Sequence, residues 1–403
     1  METSDASPAR AETEPPTIPY ARTTIALDAG HFAEIRRAVA LLFRVAHSEP
    51  YRALVDAGVD PLRAHQPGNS GVMMGYDFHM TGAGPRLIEI NTNAGGALLN
   101  GLRTAALCNP RELAGACSGL LSAEEIGERV VETFRAELRA VRGGDAVLRS
   151  VAIVDERPEE QFLHPEFELF RELLERSGIR AEIGDTADLV RTDSGRIELR
   201  GMPVDLVYLR DTDFALETPR TAALRAAYLA GDVVVTPSPR EHHLLADKRR
   251  LMLFSSRESL LRLGLDSEDA AFLAEVVPET RLLGEMGFDE VWRTRKDWVF
   301  KPAASFGSRA VYRGDKISKR KLGEIHPETH YLAQRRIEPG AVQIAAEEGL
   351  QTMKFDVRAY VYRDQPLLLG ARVYQGQVTN FRSTGGGFSA ICVLAENSEE
   401  GCC

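Results

Sequence analysis

At 403 residues the chain is longer than one typical hydrophobic core, which predicts two or three lobes. Its 49 basic and 59 acidic residues leave a net charge of −10, which argues against a nucleic-acid surface. No run approaches eighteen apolar residues, Met1-Glu2-Thr3-Ser4-Asp5 lacks the charged-then-apolar pattern of a signal peptide, and no membrane association is expected. Five cysteines without C-x-x-C or zinc spacing fit a cytoplasmic globular protein. The terminal Cys402-Cys403 follows the acidic Glu399-Glu400-Gly401, which argues for a frayed tail over a prenylation signal.

Residues 1–20, rich in Pro, Glu, Thr and Ala, read as a disordered leader. Residues 28–57 carry helical periodicity, with Phe32, Ile35, Val39, Leu42 and Phe43 on one stripe. Residues 73–78 and 86–91 then read as antiparallel strands joined by Thr81-Gly82-Ala83-Gly84-Pro85. Glu89 and Asn91, one residue apart on a strand, leave the same face, and Asp77 can sit opposite them. Two carboxylates and an amide suit magnesium, which prefers oxygen and keeps positions for phosphate and water. An amphipathic hairpin with a solvated acidic face fits the same spacing. Gly95-Gly96 opens a helical segment to about Ala106, and Ser122 with Glu125 forms a capping box for a helix over 122–142, closed by Gly143-Gly144.

From Ser150 the pattern changes. Strands at 150–155, 180–183, 204–210 and 233–236 alternate with helices at 165–177 and 218–230, which predicts a small parallel α/β domain. Asp155, Glu156, Arg210, Asp211 and Asp213 fall at strand carboxyl ends, where such sheets bind ligands, although ordinary loop polarity explains them equally. The expected division is a lobe at 21–148 that carries the candidate magnesium ligands, a small α/β domain at 149–240, and a third unit at 241–403.

The lysines are unevenly placed. None occurs in the first 247 residues; the first is Lys248, in Leu245-Ala246-Asp247-Lys248-Arg249. Lys301 stands in the apolar strand Trp298-Val299-Phe300-Lys301-Pro302, before the small-residue loop Ser305-Phe306-Gly307-Ser308-Arg309. A compact ammonium on a flexible stem suits phosphate where a planar guanidinium would not fit. Lys316, Lys319 and Lys321 read as a solvated run. A Walker A sequence and the H-R-D with D-F-G kinase set are absent. His242 and His243 are adjacent and cannot both face one metal from a helix, so capping or surface roles are expected. His79 shares a face with Asp77, and Gly385-Gly386-Gly387 reads as a turn over phosphate, over substrate or at the surface.

Together these pieces resemble the ATP-grasp superfamily, with its D-K lysine, its V-x-K-P lysine strand with a Gly/Ser loop, and its Asp … Glu-x-Asn set. The resemblance makes Tyr331–Gly340 the hinge that receives adenine, with Gln334 and Ile337 at contact positions. It also matches Phe355-Asp356-Val357-Arg358-Ala359-Tyr360-Val361 to the family's D-x-R-x-Y-V strand, followed by Arg372 and Asn380. Here the Asp/Glu/Asn set precedes both lysines, the order of circularly permuted members such as glutathionylspermidine synthetase and eukaryotic glutathione synthetase. One position departs: the most similar ligases have an arginine two residues before the aspartate, and this chain has Gly75.

The resemblance implies an α/β fold of two α+β ATP-grasp lobes with an inserted parallel-sheet domain. It implies ATP and two magnesium ions as cofactors, with Asp77, Glu89 and Asn91 as metal ligands. Lys248, Lys301, Ser305, Gly307, Ser308, Gln334 and Ile337 would bind nucleotide, and Arg358, Arg372 and Asn380 would act in catalysis. The expected reaction is ADP-forming ligation of a carboxylate donor to an amine or thiol acceptor through an acyl phosphate. A phosphotransferase and a non-catalytic nucleotide-binding module stand as alternatives.

Overall fold

The computed structural model describes residues 18–107, 117–303, 310–327, 330–346, 349–377, 379–381 and 383–395. Most of the expected leader, Ser305, Gly307, Ser308 and Cys402-Cys403 lie outside the described residues.

The largest sheet has eight strands and draws on both ends of the chain. Its path runs from Tyr20–Leu27 to Gly387–Leu394, Gln365–Tyr374, Gly349–Tyr362, Met74–Thr81 and Gly84–Asn91. Tyr20–Leu27 lies parallel to its neighbour, and the other pairs are antiparallel. Gly340–Ala346 and Cys117–Ser118 attach to the side of this path. The long strand Gly349–Tyr362 joins the two ends of the chain, with Arg358 opposite Asp77 and Tyr360 opposite Gly75.

Alternation decides what each face carries. Tyr76, Phe78, Ile90, Val357, Ala359, Val361, Ala371 and Val373 enter one core, which the helix Ala29–Ala46 covers through Ile35, Val39 and Leu42. The intervening residues therefore point to the opposite face of the sheet. The expected helix over 28–57 is interrupted: Ser48 caps a second helix, Glu49–Val55, with Pro50 in its first turn. The capping box at Ser122 and Glu125 forms as read, and Ala123–Arg142 ends at Gly143, whose φ is 102°.

Residues 150–236 build a four-stranded parallel sheet in the order Val234–Thr236, Leu206–Leu209, Ser150–Asp155, Arg180–Asp185. Phe134, Phe167 and Phe170 pack with Tyr208 against one face of it, in a core that also takes Tyr360 from the large sheet. A separate antiparallel sheet comprises Thr280–Leu282, Tyr331–Arg335, Trp298–Pro302 and Tyr312–Arg313. Cys117 and Cys392, distant in sequence, form a disulfide that ties the short strand Cys117–Ser118 to Gly387–Leu394. Among the described residues no helix is long and apolar enough to cross a membrane.

Candidate active site

Asp77, Glu89, Asn91, Asp356, Arg358 and Arg372 all line one cleft, because four neighbouring strands turn their apolar alternates to the opposite core. Asp77 and Glu89 are paired in register across the hairpin. The strands run to Thr81 and Gly84, so the turn is tighter than expected, and Gly84 has a φ of 102°.

Asp77 is buried and heavily engaged. Arg358 donates from Nε to its Oδ1 at 2.6 Å and from Nη2 to Oδ2 at 2.7 Å. Arg372 Nη2 and Asn91 Nδ2 reach the same Oδ2 at 3.0 and 3.2 Å. Burial works against a charged Asp77, but the two guanidinium groups outweigh it and hold the carboxyl well below the usual carboxylate range. Arg372 also donates from Nε to Asp356 Oδ1 at 2.7 Å, and Thr379 Oγ1 donates to Asp356 Oδ2 at 2.5 Å.

The lysine segments bring two ammonium groups to the same cleft. Lys248 Nζ lies 3.1 Å from Glu89 Oε1. Lys301 donates to Gln334 Oε1 at 2.6 Å and to the Ile88 carbonyl at 3.3 Å, which ties the strand Tyr331–Arg335 to the hairpin that carries Asp77 and Glu89. Burial lowers the Lys301 pKa to about 8, with Glu89 opposing and Lys248 adding to the shift. His79 contacts Ile337 O at 2.9 Å, and burial keeps its pKa below the ordinary value. Asn380 is placed differently from expectation: its amide donates to Gln375 O at 2.7 Å and its Oδ1 accepts from Ser383 at 3.0 Å, closing a turn, while Thr379 lines the cleft.

The donor atoms at Glu89, Asn91 and Asp77 are all oxygen, which fits a hard cation such as magnesium. Asp77 is the member already committed to arginine. Among the described residues no group of three or more His, Cys, Asp or Glu side chains is gathered to hold an ion, so such a cation depends on the Asn91 amide.

A second cavity adjoins the first. Asn91, Lys248 and Arg358 line both, and Asn93, Phe214 and His242 line the far side. His242 is the C-cap residue of the short helix Pro239–Glu241, a capping place that adjacency suggested, and its partly buried ring lines this cavity. Its ring stacks on Phe214 at 4.2 Å, Thr92 Oγ1 lies 3.0 Å from Nδ1, and burial lowers its pKa to about 3. His243 is buried too, 3.3 Å from Asp56 and 3.0 Å from Arg250, with its pKa lowered to about 4 chiefly by burial. Asp211 and Asp213, at strand ends, are occupied by Thr186, Arg220, Thr218 and Thr221 and serve the loop itself.

Sequence reasoning missed Asp356 as a cleft residue, although its two-residue spacing from Arg358 places both on one strand face. It also missed Glu166, a buried acid beside the apolar stripe Phe167, Phe170 and Leu174. Glu166 accepts from Gly96 N at 2.8 Å and Leu98 N at 3.1 Å, which fixes the loop beside Arg358.

Gly75 is dictated by packing. A Cβ there would fall 2.4 Å from Ala94 Cβ and 3.4 Å from Arg358 Nε. Gly75→Ala should destabilise the protein by about 1–3 kcal/mol, the usual cost of overpacking. Adding Ala94→Gly should recover most of that loss in thermal melts.

No protein-family model matches the chain, and no curated protein matches it by sequence. Solved structures do. A glutathione synthetase-like effector from Globodera pallida superposes with a TM-score of 0.58 at 11% identity, covering 93% of this chain and 90% of that one. A putative gamma-glutamylcysteine synthetase from Methylobacillus flagellatus KT covers 87% of this chain and 83% of that one, at 12% identity and a TM-score of 0.47. The ATP-grasp ligase PsnB, complexed with minimal precursor, Mg and ADP, covers 62% of this chain and 90% of that one, at 14% identity and a TM-score of 0.32. Identities this low speak to fold alone, and only the first likeness is close enough to carry that argument. The fold is shared over nine-tenths of that effector, and this chain has an ATP-grasp-type fold.

Proposed function

We propose that this protein is an ATP-dependent, ADP-forming ligase that joins a carboxylate to an amine, or to a thiol, through an acyl phosphate. The observation that carries this reading is the meeting of two cavities at one wall, formed by Asn91, Lys248 and Arg358. Phosphoryl transfer between a nucleotide on one side and a carboxylate on the other needs such an arrangement.

A carboxylate is a poor electrophile because its leaving oxygen is a strong base. Attack of a carboxylate oxygen on the γ-phosphorus forms the acyl phosphate and releases ADP. The acceptor nitrogen or sulfur then adds to the acyl carbon, its proton is lost, and inorganic phosphate leaves. The protein's part is positioning and charge neutralisation. In this reading Lys248 and Lys301 lie along the α- and β-phosphates, and Gln334 with Ile337 borders adenine. Ser305, Gly307 and Ser308, outside the described residues, are assigned to the phosphate tail by the family resemblance alone. Glu89, Asn91 and Asp77 would hold magnesium, which would further neutralise phosphate oxygens. Arg358 and Arg372 supply positive charge at the reacting end.

Hydroxylamine intercepts acyl phosphates. Pooled amino acids, small peptides and other carboxylates, incubated with ATP, magnesium and hydroxylamine, should give a hydroxamate and sustained ADP release. A stable phosphorylated product without hydroxamate would instead indicate a phosphotransferase. Nucleotide binding that raises the melting temperature without turnover would indicate a binding module.

A further inference from the structure

We infer that the second cavity seats the carboxylate donor, and that this donor is an aromatic acid whose body carries no charge. This rests on the ligase reading and names its donor by class.

The second cavity holds about 460 Å³ and meets the nucleotide cleft at Asn91, Lys248 and Arg358. A donor carboxylate has to lie at that wall to reach the γ-phosphorus, so the carbons behind it extend into the second cavity. Three phenylalanine rings line the space there. Phe214 follows the strand Leu206–Leu209, Phe388 belongs to Gly387–Leu394, and Phe381 stands shortly before that strand. The Phe381 ring lies 4.5 Å from Phe388 and stacks on Phe162 at 5.5 Å, while Phe214 stacks on His242. Phe388 has little freedom: a Cβ at Gly96 would fall 2.5 Å from its ring. Flat walls held in this way reward a planar guest by stacking as well as by burial.

Charge sets the rest. An ammonium taken out of water needs a carboxylate partner. Among the described residues, Asp213 and Glu217 are the acids that line this cavity. A carboxylate offers about four acceptor sites. Asp213 fills its sites with the amides of Glu217 and Thr218 and the hydroxyls of Thr218 and Thr221. Glu217 is turned to Arg63 at 3.2 Å. His242 is neutral, because burial lowers its pKa to about 3. Lys248 and Arg358 therefore stand as cations at the shared wall, and uncharged rings lie beyond it. A zwitterionic amino acid or a polyamine would leave its ammonium unpaired among those rings.

The full chain, loaded with Mg·ADP, can be titrated calorimetrically with 3-phenylpropionate and indole-3-acetate. Acetate and succinate serve as small acids, and phenylalanine and phenethylamine as rings that carry an ammonium. At least one aromatic acid should bind about tenfold or more tighter than every probe of the other two kinds. Phe381→Ala should lose at least about tenfold of that affinity, and Phe381→Tyr, which keeps the ring, less than about threefold. Both variants should bind Mg·ADP within about threefold of the wild type, which also shows that they fold. The absence of a preference for aromatic acids, a preference for the ammonium-bearing rings, or aromatic affinity that survives Phe381→Ala would overturn the inference. The hydroxamate assay keeps the two readings apart. An aromatic acid that binds through Phe381 but yields neither ADP nor hydroxamate would keep the aromatic site and lose the ligase. Hydroxamate from small or zwitterionic acids alone would keep the ligase and lose the aromatic donor.

Discussion

Raising the pH through about 8 should weaken nucleotide binding and strengthen the ligand-free fold at once, because both effects pass through the Lys301 ammonium. Burial lowers its pKa to about 8, while the unfolded chain keeps that proton to about 10.5. Between these values the unfolded state binds more protons than the folded one, so stability rises with pH, by on the order of 3 kcal/mol across the window. Below pH 8 both states are protonated and the dependence from this group disappears. Bound phosphate raises the folded pKa again, so affinity should be highest below pH 8 and fall up to about tenfold per unit above it. Lys301→Met should flatten both profiles and weaken ATP binding about a hundredfold, an effect of ~3 kcal/mol suited to a charge-assisted contact in a buried cleft. Denaturant melts and nucleotide titrations from pH 7 to 10 measure the two together. A variant that keeps either slope would return that slope to another titrating group.

What the sequence disclosed here followed the range of the interactions. The hairpin with Asp77, Glu89 and Asn91, the Ser122 capping box and the strand–helix alternation from Ser150 are local patterns, and each appears where its spacing put it. The arginine arrangement was less legible. Arg358 and Asp77 are 281 residues apart, and only the register of Gly349–Tyr362 against Met74–Thr81 sets one opposite the other. A D-x-R spacing says that Asp356 and Arg358 share a face, but not which carboxylate that face meets. Gly75 illustrates the same limit from the other side. In the sequence it was a missing arginine; in the fold it is a point of close approach between Ala94 and Arg358. His242 and His243 escaped a local reading because Phe214 and Thr92, which contact the first, and Asp56, which contacts the second, are distant in the chain.

Glu89→Gln should leave the fold standing and reduce nucleotide turnover by about a thousandfold or more, the loss expected when a carboxylate is removed from a magnesium set. Glutamine keeps the volume of Glu89 and a carbonyl oxygen for Lys248, now 3.1 Å from the carboxylate, so the thermal midpoint should shift by only a few degrees. Nucleotide titrations separate a metal role from a structural one. Without magnesium, ADP should bind the variant at least as well as the wild type, since one negative charge has left the cleft. With magnesium, the wild type should gain affinity and the variant should not. Asp77→Asn provides the contrast. Asp77 is buried between Arg358 and Arg372, and removing its charge strands two guanidinium groups, which should cost ~3–5 kcal/mol of stability. Glu89 and Asp77 therefore belong to one sequence motif but are held differently: the first pairs with Lys248, and the second sits between the two arginines. A magnesium-linked gain in affinity that survives Glu89→Gln would place the ion elsewhere in the cleft, with Asp356 as the next carboxylate to replace.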